Sequence, residues 1–492
     1  MSNFATRCGV HTPERQQATE AVLRAIDSQG LDQVRVAWCD VHGFTRSKAL
    51  MAGAVRQALQ AGVGMVSTLL LKDTSDRTAW PVFQPGGTDH LPGFGQANNV
   101  VLMPDPASFR VLPWRPRTGW LQAQAWFADA RPVPFDTRRV LQRALERLGA
   151  RGYGLRCGLE VEFHIYRIVD DGPAADPQRA AWPGEPPEVA LIHPGYQLLS
   201  EAWLDQADHP LRIVQQTAQA LGLPLLSLEA EMGPSQVEAV FDVTDALTAA
   251  DHMVLFRNAV RMALRDAGYH ATFMCRPPLP NIMSSGWHLH QSLYDLDSGA
   301  NAMVRAQPAE GTGPRDARHT LSDVGAHYLA GLLAHARGMA LFCTPTANGY
   351  ARFRPNALAP QTVQWGRDNR GAMLRVIGEA GDGATRIENR IGEPAANPYL
   401  YLAAQIEAGL DGIEHALRPP VATEDPYGAQ ATLLPTSLGE AIEALQADDA
   451  LAARIGPEWV AYLKQIKGLE WQRFQAADDP DAFQRREYFS RF

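Results

Sequence analysis

The chain has 492 residues, 46% hydrophobic and 20% charged, a composition typical of globular proteins and a length that allows two or three domains, or one large and one small. Its 45 basic and 54 acidic residues give a net charge of −9 with no Lys/Arg-rich block, which argues against nucleic acid as a partner. Five scattered cysteines without a C-x-x-C pair, no apolar leader in MSNFATRCGVHTPERQQ and no run near the ~18 apolar residues of a membrane span argue against a disulfide framework, a secretory signal and a membrane protein, and fit the cytoplasm.

Taken in order, residues 14–30 (ERQQATEAVLRAIDSQG) predict an amphipathic helix, and 34–50 a strand, a turn at His42–Gly43 and a second strand. A helix at about 54–61 and GMVSTLLL follow, then a Pro/Gly-rich loop (80–95) and two short strands around a turn (100–114). FDTRRVLQRALERLGARG (135–152) is a helix with a glycine stop, and a domain boundary is placed just before it, dividing the chain into 1–130 and 131–492. Strand 158–168, a polar Pro-rich insertion (170–188), helix 210–221, strands 224–231 and 236–243, helix 248–267 and strands 270–275 and 287–294 come next. A Gly/Pro/Asp-rich loop (295–318), helix 320–340, the stretch NGYARFRPNALAP (348–360), strands near 372–377 and 384–391, helix 398–417 and a mostly helical, polar tail (437–492) complete the pass.

Several of these strands pair an apolar face with a face of unusual chemistry. Side chains alternate along a strand. GLEVEFHIY (158–166) therefore sets Leu159, Val161 and Phe163 against Glu160, Glu162 and His164. LSLEAEM (226–232) sets Leu226, Leu228 and Ala230 against Glu229 and Glu231, and Gln236 and Glu238 share a face of the next strand. WHLHQSL (287–293) sets Trp287, Leu289 and Gln291 against His288 and His290; TRIENRI (385–391) sets Ile387 and Ile391 against Arg386, Glu388 and Arg390. Any one pattern alone describes a half-exposed antiparallel strand. Four such faces built almost wholly of Glu, His and Arg describe a charged site: carboxylates with occasional imidazole suit Mg²⁺ or Mn²⁺, arginines suit anions, and together they are the equipment of phosphoryl transfer. No G-x-x-x-x-G-K-[ST], G-x-G-x-x-G or G-x-S-x-G motif occurs.

The stretches GLEVEF, EMGPSQVE, TFMCRPPLPNIMSSGWHLHQSL, NGYARFRP, GRDNRGAMLRV and TRIENRIGEPAANPYLYLAAQIEAGLDGI resemble, in order, the motifs of the type I glutamine synthetase family, and VVLMPDPASFRVLPW resembles the end of its N-terminal domain. The resemblance implies an α+β fold, with an N-terminal β-grasp domain and a catalytic domain built on a curved antiparallel sheet flanked by helices. It implies a dodecamer of two hexameric rings, and ATP-dependent ligation in which the γ-carboxylate of glutamate attacks ATP and an amine displaces phosphate from γ-glutamyl phosphate. By motif position it implies Glu162, Glu231 and Glu238 on one metal ion, and Glu160, His288 and Glu388 on a second. His290 and Ser292 would face the ATP phosphates, Arg352 and Arg390 the substrate carboxylates, and Arg370, Arg375 and Arg386 the transferring phosphoryl group.

Departures from the family pattern concern the amine. Leu358 stands where ammonia-using members carry a flap glutamate, the family's Asp-Gly-Ser-Ser stretch is missing near GVGMVSTLLLKDTSD, and Met283 and Trp287 replace family residues in NIMSSGWH. Lost negative charge and gained apolar surface penalise ammonium and favour a neutral, apolar amine. The expected activity is therefore that of a γ-glutamylamide synthetase for an aromatic or hydrophobic amine such as aniline, with Leu358, Trp287 and Met283 lining the amine pocket. The alternatives are a polyamine or alkylamine ligase, a true glutamine synthetase with a substitute carboxylate, and a non-catalytic structural or sensing member.

Overall fold

The computed structural model describes residues 3–171, 177, 181–354, 359–428 and 431–492. A first sheet takes β1 (Gln33–Cys39), β2 (Thr45–Met51), β3 (Val63–Val66), β4 (Asn99–Pro104), β5 (Arg110–Val111) and β6 (Thr118–Phe127), in spatial order β2-β1-β6-β4-β3 with β5 also on β6. The β1–β2 hairpin closes where predicted: the Asp40 carboxylate accepts from the His42 and Phe44 N–H groups, and Gly43 supplies the left-handed turn residue at φ +83°. Strand β6, central and parallel to β1, was not predicted. Nearly every residue of TGWLQAQAWF is buried, so neither face is marked by polar alternation.

The second sheet takes β7 (Tyr153–Asp170), β8 (Glu188–Leu191), β9 (Leu225–Ala230), β10 (Gln236–Asp245), β11 (Tyr269–Thr272), β12 (Trp287–Asp295), β13 (Trp365–Arg367), β14 (Leu374–Ile377) and β15 (Arg386–Gly392). Its order is β13-β14-β15-β12-β7-β10-β9, with β8 and β11 on the far end of β7, and every pair is antiparallel except β13–β14. The apolar face packs against helices Thr137–Gly149 and Ala246–Asp266. Phe163 stacks on Phe273 at 4.8 Å, and Phe256 meets both edge-on. Helix Pro398–Glu414 is buried along almost its whole length between neighbouring helices. The tail helix Pro457–Gln475 folds back on the first half of the chain, where Arg473 binds Asp73 and Lys467 pairs with Glu470 near His42. All five cysteines are buried and free. Among the described residues no helix is long and apolar enough to cross a membrane.

The helix expected at 320–340 is two helices, Asp323–Ala334 and Ala336–Cys343, broken at His335. That buried imidazole lies between Asp448 (Nδ1, 2.8 Å) and Asp411 (Nε2, 3.0 Å), and Asp411 also receives Arg454 and His415. Burial alone would lower its pKa; the hydrogen bonds to Asp448 and Asp411 outweigh burial and raise it. A raised imidazole stabilises the fold fully below the unfolded value of about 6.5, and loses that contribution as pH rises through the folded-state pKa. Denaturation midpoints should therefore fall with rising pH through that window, and fall less in His335→Gln. Parallel pH profiles for the two proteins would contradict this role.

Candidate active site

Strand β7 sets the geometry. Glu162 stands opposite Glu238 on β10, and Glu160 opposite His288 on β12. Across β12, His290 faces Glu388 on β15, and Arg375 on β14 faces Glu388 from the other side. Directly paired residues share a face, so four sequence motifs bring their polar side chains together. Glu231 joins them one residue beyond β9, its N–H bonded to the Gln236 carbonyl.

Two clusters result. In the first, Glu162 Oε2 accepts from the Gly286 N–H (2.8 Å) and Gln236 Nε2 (3.1 Å), and Glu231 Oε2 from the Met232 N–H (2.9 Å). The Glu238 carboxylate, on a residue only 8% exposed, accepts no hydrogen bond among the described residues. One ligand oxygen from each of the three lies within 4.8 Å of the others. Burial, then the charge of Glu231, pushes Glu162 up to about 7. Burial, then Glu162, Glu160 and Glu231, pushes Glu238 up to about 10. Glu231 is raised by burial and by Glu229, against the pull of the Met232 N–H. Three crowded carboxylates, one of them with no donor, are costly without a cation and fit a hard divalent ion.

The second cluster centres on Glu160. Arg352 Nη2 lies 3.3 Å from His288 Nε2, and His288 Nδ1 lies 3.3 Å from Glu160 Oε2. Arg386 Nε donates to His290 Nδ1 (3.1 Å), and His290 Nε2 lies 2.9 Å from Glu160 Oε1. Burial would raise Glu160, but the two histidines outweigh it and hold the carboxyl well below the usual range. Burial and Arg390 push His288 down to about 4, keeping it the neutral imidazole a metal ligand must be. Glu388 is fully buried; its oxygens take Arg375 Nη1 (3.1 Å) and Arg390 Nη1 (2.5 Å), with His288 Nδ1 at 3.7 Å. Gly286 lets these groups converge, because a Cβ there would lie 2.3 Å from Arg352 Nη2 and 3.2 Å from His288 Nε2. A cavity of about 360 Å³ opens beside Glu160, His290, Ser292 and Arg386.

Several placements differ from expectation. The donor atoms group as Glu160–His290–Glu388 and Glu160–Glu238–His288, so His290, expected only on phosphates, also stands as a candidate ligand. Arg352, expected on a substrate carboxylate, gives Nη1 to the carbonyls of Arg390 (2.8 Å) and Gly392 (3.0 Å), because a buried guanidinium takes the nearest acceptors. Trp287 is fully buried on the opposite face of β12 from His288, edge-on to Tyr401 at 5.0 Å. Met283 is half-buried beside Gly233, whose Cβ would meet it at 2.8 Å. Arg370 is exposed and its charge bears on Glu231. Leu358 lies outside the described residues. Leu226, expected on the apolar face, is the extra residue of a bulge where β9 shifts register against β10; it is 63% exposed and lines the cavity. Asp368, which holds Arg375 Nε at 2.9 Å, was missed because it comes from a loop with no periodic signal.

A curved sheet that gathers two carboxylate clusters, two imidazoles and four arginines beside a cavity is the framework of a metal-dependent enzyme of phosphoryl transfer. Residues 134–486 match the family glutamine synthetase, catalytic domain. Over 505 aligned positions the chain is 38% identical to gamma-glutamylanilide synthase of an Acinetobacter species, covering 99% of each, and over 458 positions it is 31% identical to gamma-glutamylethanolamide synthetase GlnA4 of Streptomyces coelicolor, covering 92% of each. The apo structure of GmaS superimposes with a TM-score of 0.75 at 27% identity, covering 93% of this chain and 97% of that one. The chain belongs to the glutamine synthetase family and is an enzyme, a ligase; its family uses ATP and divalent metal ions.

Proposed function

We propose that the amine this ligase joins to the γ-carboxyl of glutamate is an organic one, aromatic or hydrophobic, such as aniline. The observation that carries the reading is the likeness, over 99% of both chains, to a gamma-glutamylanilide synthase; Leu358 in place of the flap carboxylate supports it. The γ-carboxylate attacks the γ-phosphorus of ATP and the bond to ADP breaks. The amine nitrogen then adds to the acyl carbon of γ-glutamyl phosphate, phosphate leaves and the nitrogen loses its proton. An arylamine is already neutral near pH 7, so it needs no carboxylate to strip a first proton before attack.

In this reading Glu162, Glu231 and Glu238 hold one divalent ion, and Glu160 with His288, His290 and Glu388 a second, Mg²⁺ or Mn²⁺. Bound there, such ions neutralise charge on phosphate oxygens. Arg386 fixes the His290 ring, and with Ser292 both face the nucleotide phosphates. Arg375 and Arg370 stabilise charge on the transferring phosphoryl group. The buried Arg390 Nε, without a partner among the described residues, is the donor for a substrate carboxylate, and Arg352 positions His288. The reading extends to domains at 1–130 and 131–492, a cytoplasmic role in amine catabolism and a dodecamer of two rings, the last checked by the mass of the purified protein in solution.

The test is phosphate release with glutamate, ATP and Mg²⁺, supplying ammonium, spermidine, isopropylamine or aniline in turn. Aniline should turn over fastest. Fast turnover with ammonium alone would overturn the reading, and silence with every amine would favour a non-catalytic role. Leu358→Glu should raise kcat/KM for ammonium by about tenfold or more, the equivalent of one charge-assisted hydrogen bond; no gain in a folded variant would count against the flap argument.

A further inference from the structure

A second cavity, of about 330 Å³, shares no residue with the site above and is walled by Arg261, Arg265, His270, Arg486, Ser490 and Arg491. It forms where helix Ala246–Asp266 and β11 meet the last residues of the chain. Arg261 donates Nη1 to the Arg491 carbonyl (2.5 Å) and Nη2 to the Ser490 carbonyl, and His270 Nε2 lies 2.9 Å from the Phe489 carbonyl. Arg261 therefore holds the segment through neutral acceptors, with no carboxylate of its own among the described residues. Arg265 is paired with Asp171, and Arg491 donates to the Thr74 carbonyl. Arg486 makes no hydrogen bond or ion pair among the described residues, and the Ser490 hydroxyl is buried without a partner. The acidic groups are Glu185 on the wall, Asp171 behind Arg265, and Glu487, Asp76 and Asp73, whose charges bear on Arg491. Among the residues that wall the cavity, four guanidinium groups stand against one carboxylate, Glu185.

Guanidinium forks match a tetrahedral oxyanion, and a free hydroxyl adds a donor. We propose that this cavity binds a phosphate dianion, free or as a phosphomonoester, which bridges Arg486 to Arg261 and Ser490 and secures the C-terminal segment. That segment reaches the active site. Gln484 Oε1 accepts from Asn348 Nδ2 (2.7 Å), and the Tyr488 hydroxyl accepts from the Ala347 N–H (3.3 Å). The same short stretch continues to Arg352, which holds His288. A bound phosphate thus orders the base of the flap from behind, whichever amine the enzyme uses.

Hydrogen–deuterium exchange of the full-length protein, in EDTA and with millimolar inorganic phosphate or glycerol 3-phosphate, tests this. Exchange should slow in peptides covering 261–271 and 485–492. Arg486→Glu, an exposed change that leaves the fold intact, should weaken that protection at least about tenfold in ligand concentration, the cost of about 1.4 kcal/mol, and Arg486→Lys should keep part of it. Protection by both ligands assigns the site to free phosphate, and protection by the ester alone to a phosphomonoester. Protection confined to peptides around 286–292, or unchanged in Arg486→Glu, would overturn the proposal.

Discussion

Glu238→Gln is expected to remove ligase turnover while making the metal-free protein more stable. Glu238 is buried, faces Glu162 across the β7–β10 pair and has no hydrogen-bond donor of its own among the described residues. With a cation present its charge is useful, and losing it should lower kcat/KM by about 10²–10³-fold, the scale of one preorganised charge-stabilising group. Without the cation the same charge is a liability of about 1–3 kcal/mol, the range for a buried polar group left unpaired. The sign of the pH dependence follows. Its carboxyl is pushed up to about 10 by burial and by neighbouring carboxylates, whereas the unfolded value is about 4.3. The native state therefore holds a proton that the unfolded chain releases, and stability in EDTA should decline as pH rises across that interval. Glutamine has no proton to lose, so its advantage should grow with pH. Denaturant melts in EDTA at acidic and alkaline pH, with phosphate-release assays in Mg²⁺, check both halves. A variant less stable than wild type in EDTA at alkaline pH, or one as active as wild type, would falsify the assignment.

Glu388→Ala should unfold more easily by about 3–5 kcal/mol, the usual cost of removing one partner from a buried ion pair, and should also be inactive. The carboxylate is fully buried, and its two oxygens are divided between Arg375 and Arg390, with His288 beside them. Arg375 keeps Asp368 after the change, but Arg390, itself buried, loses the one carboxylate it is bonded to among the described residues. Removing the stranded cation should then restore stability, so Arg390→Met added to Glu388→Ala should recover part of the loss. A double-mutant cycle measures this coupling. A loss below about 1 kcal/mol would put the pair in the class of exposed surface bridges and remove Glu388 from the frame of the site.

Much of this site was legible in the sequence because alternation along a strand is a local property of the backbone. GLEVEF, WHLH and TRIENR each declared which residues share a face, and the structure puts Glu160, Glu162, His288, His290, Glu388 and Arg390 on that face. Residue chemistry did the rest, since Glu, His and Arg on several polar faces suit metal ions and phosphates better than they suit solvent alone. What alternation cannot carry is the identity of the neighbour. Strand β6 was invisible because both of its faces are buried. The bulge that turns Leu226 outward exists only in its pairing with β10. The break at His335 depends on Asp411 and Asp448, residues distant in sequence. Trp287 shows the limit most simply: motif position assigned it to the amine, but its place in the alternation sends it into the core against Tyr401. By itself, then, the sequence determined the family, the chemistry and the faces that carry it. Tertiary structure decided which carboxylates share a cation, which arginines are spent on carbonyls and where the C-terminal arginines converge, because register, bulges and long-range ion pairs are properties of two segments meeting rather than of either one alone.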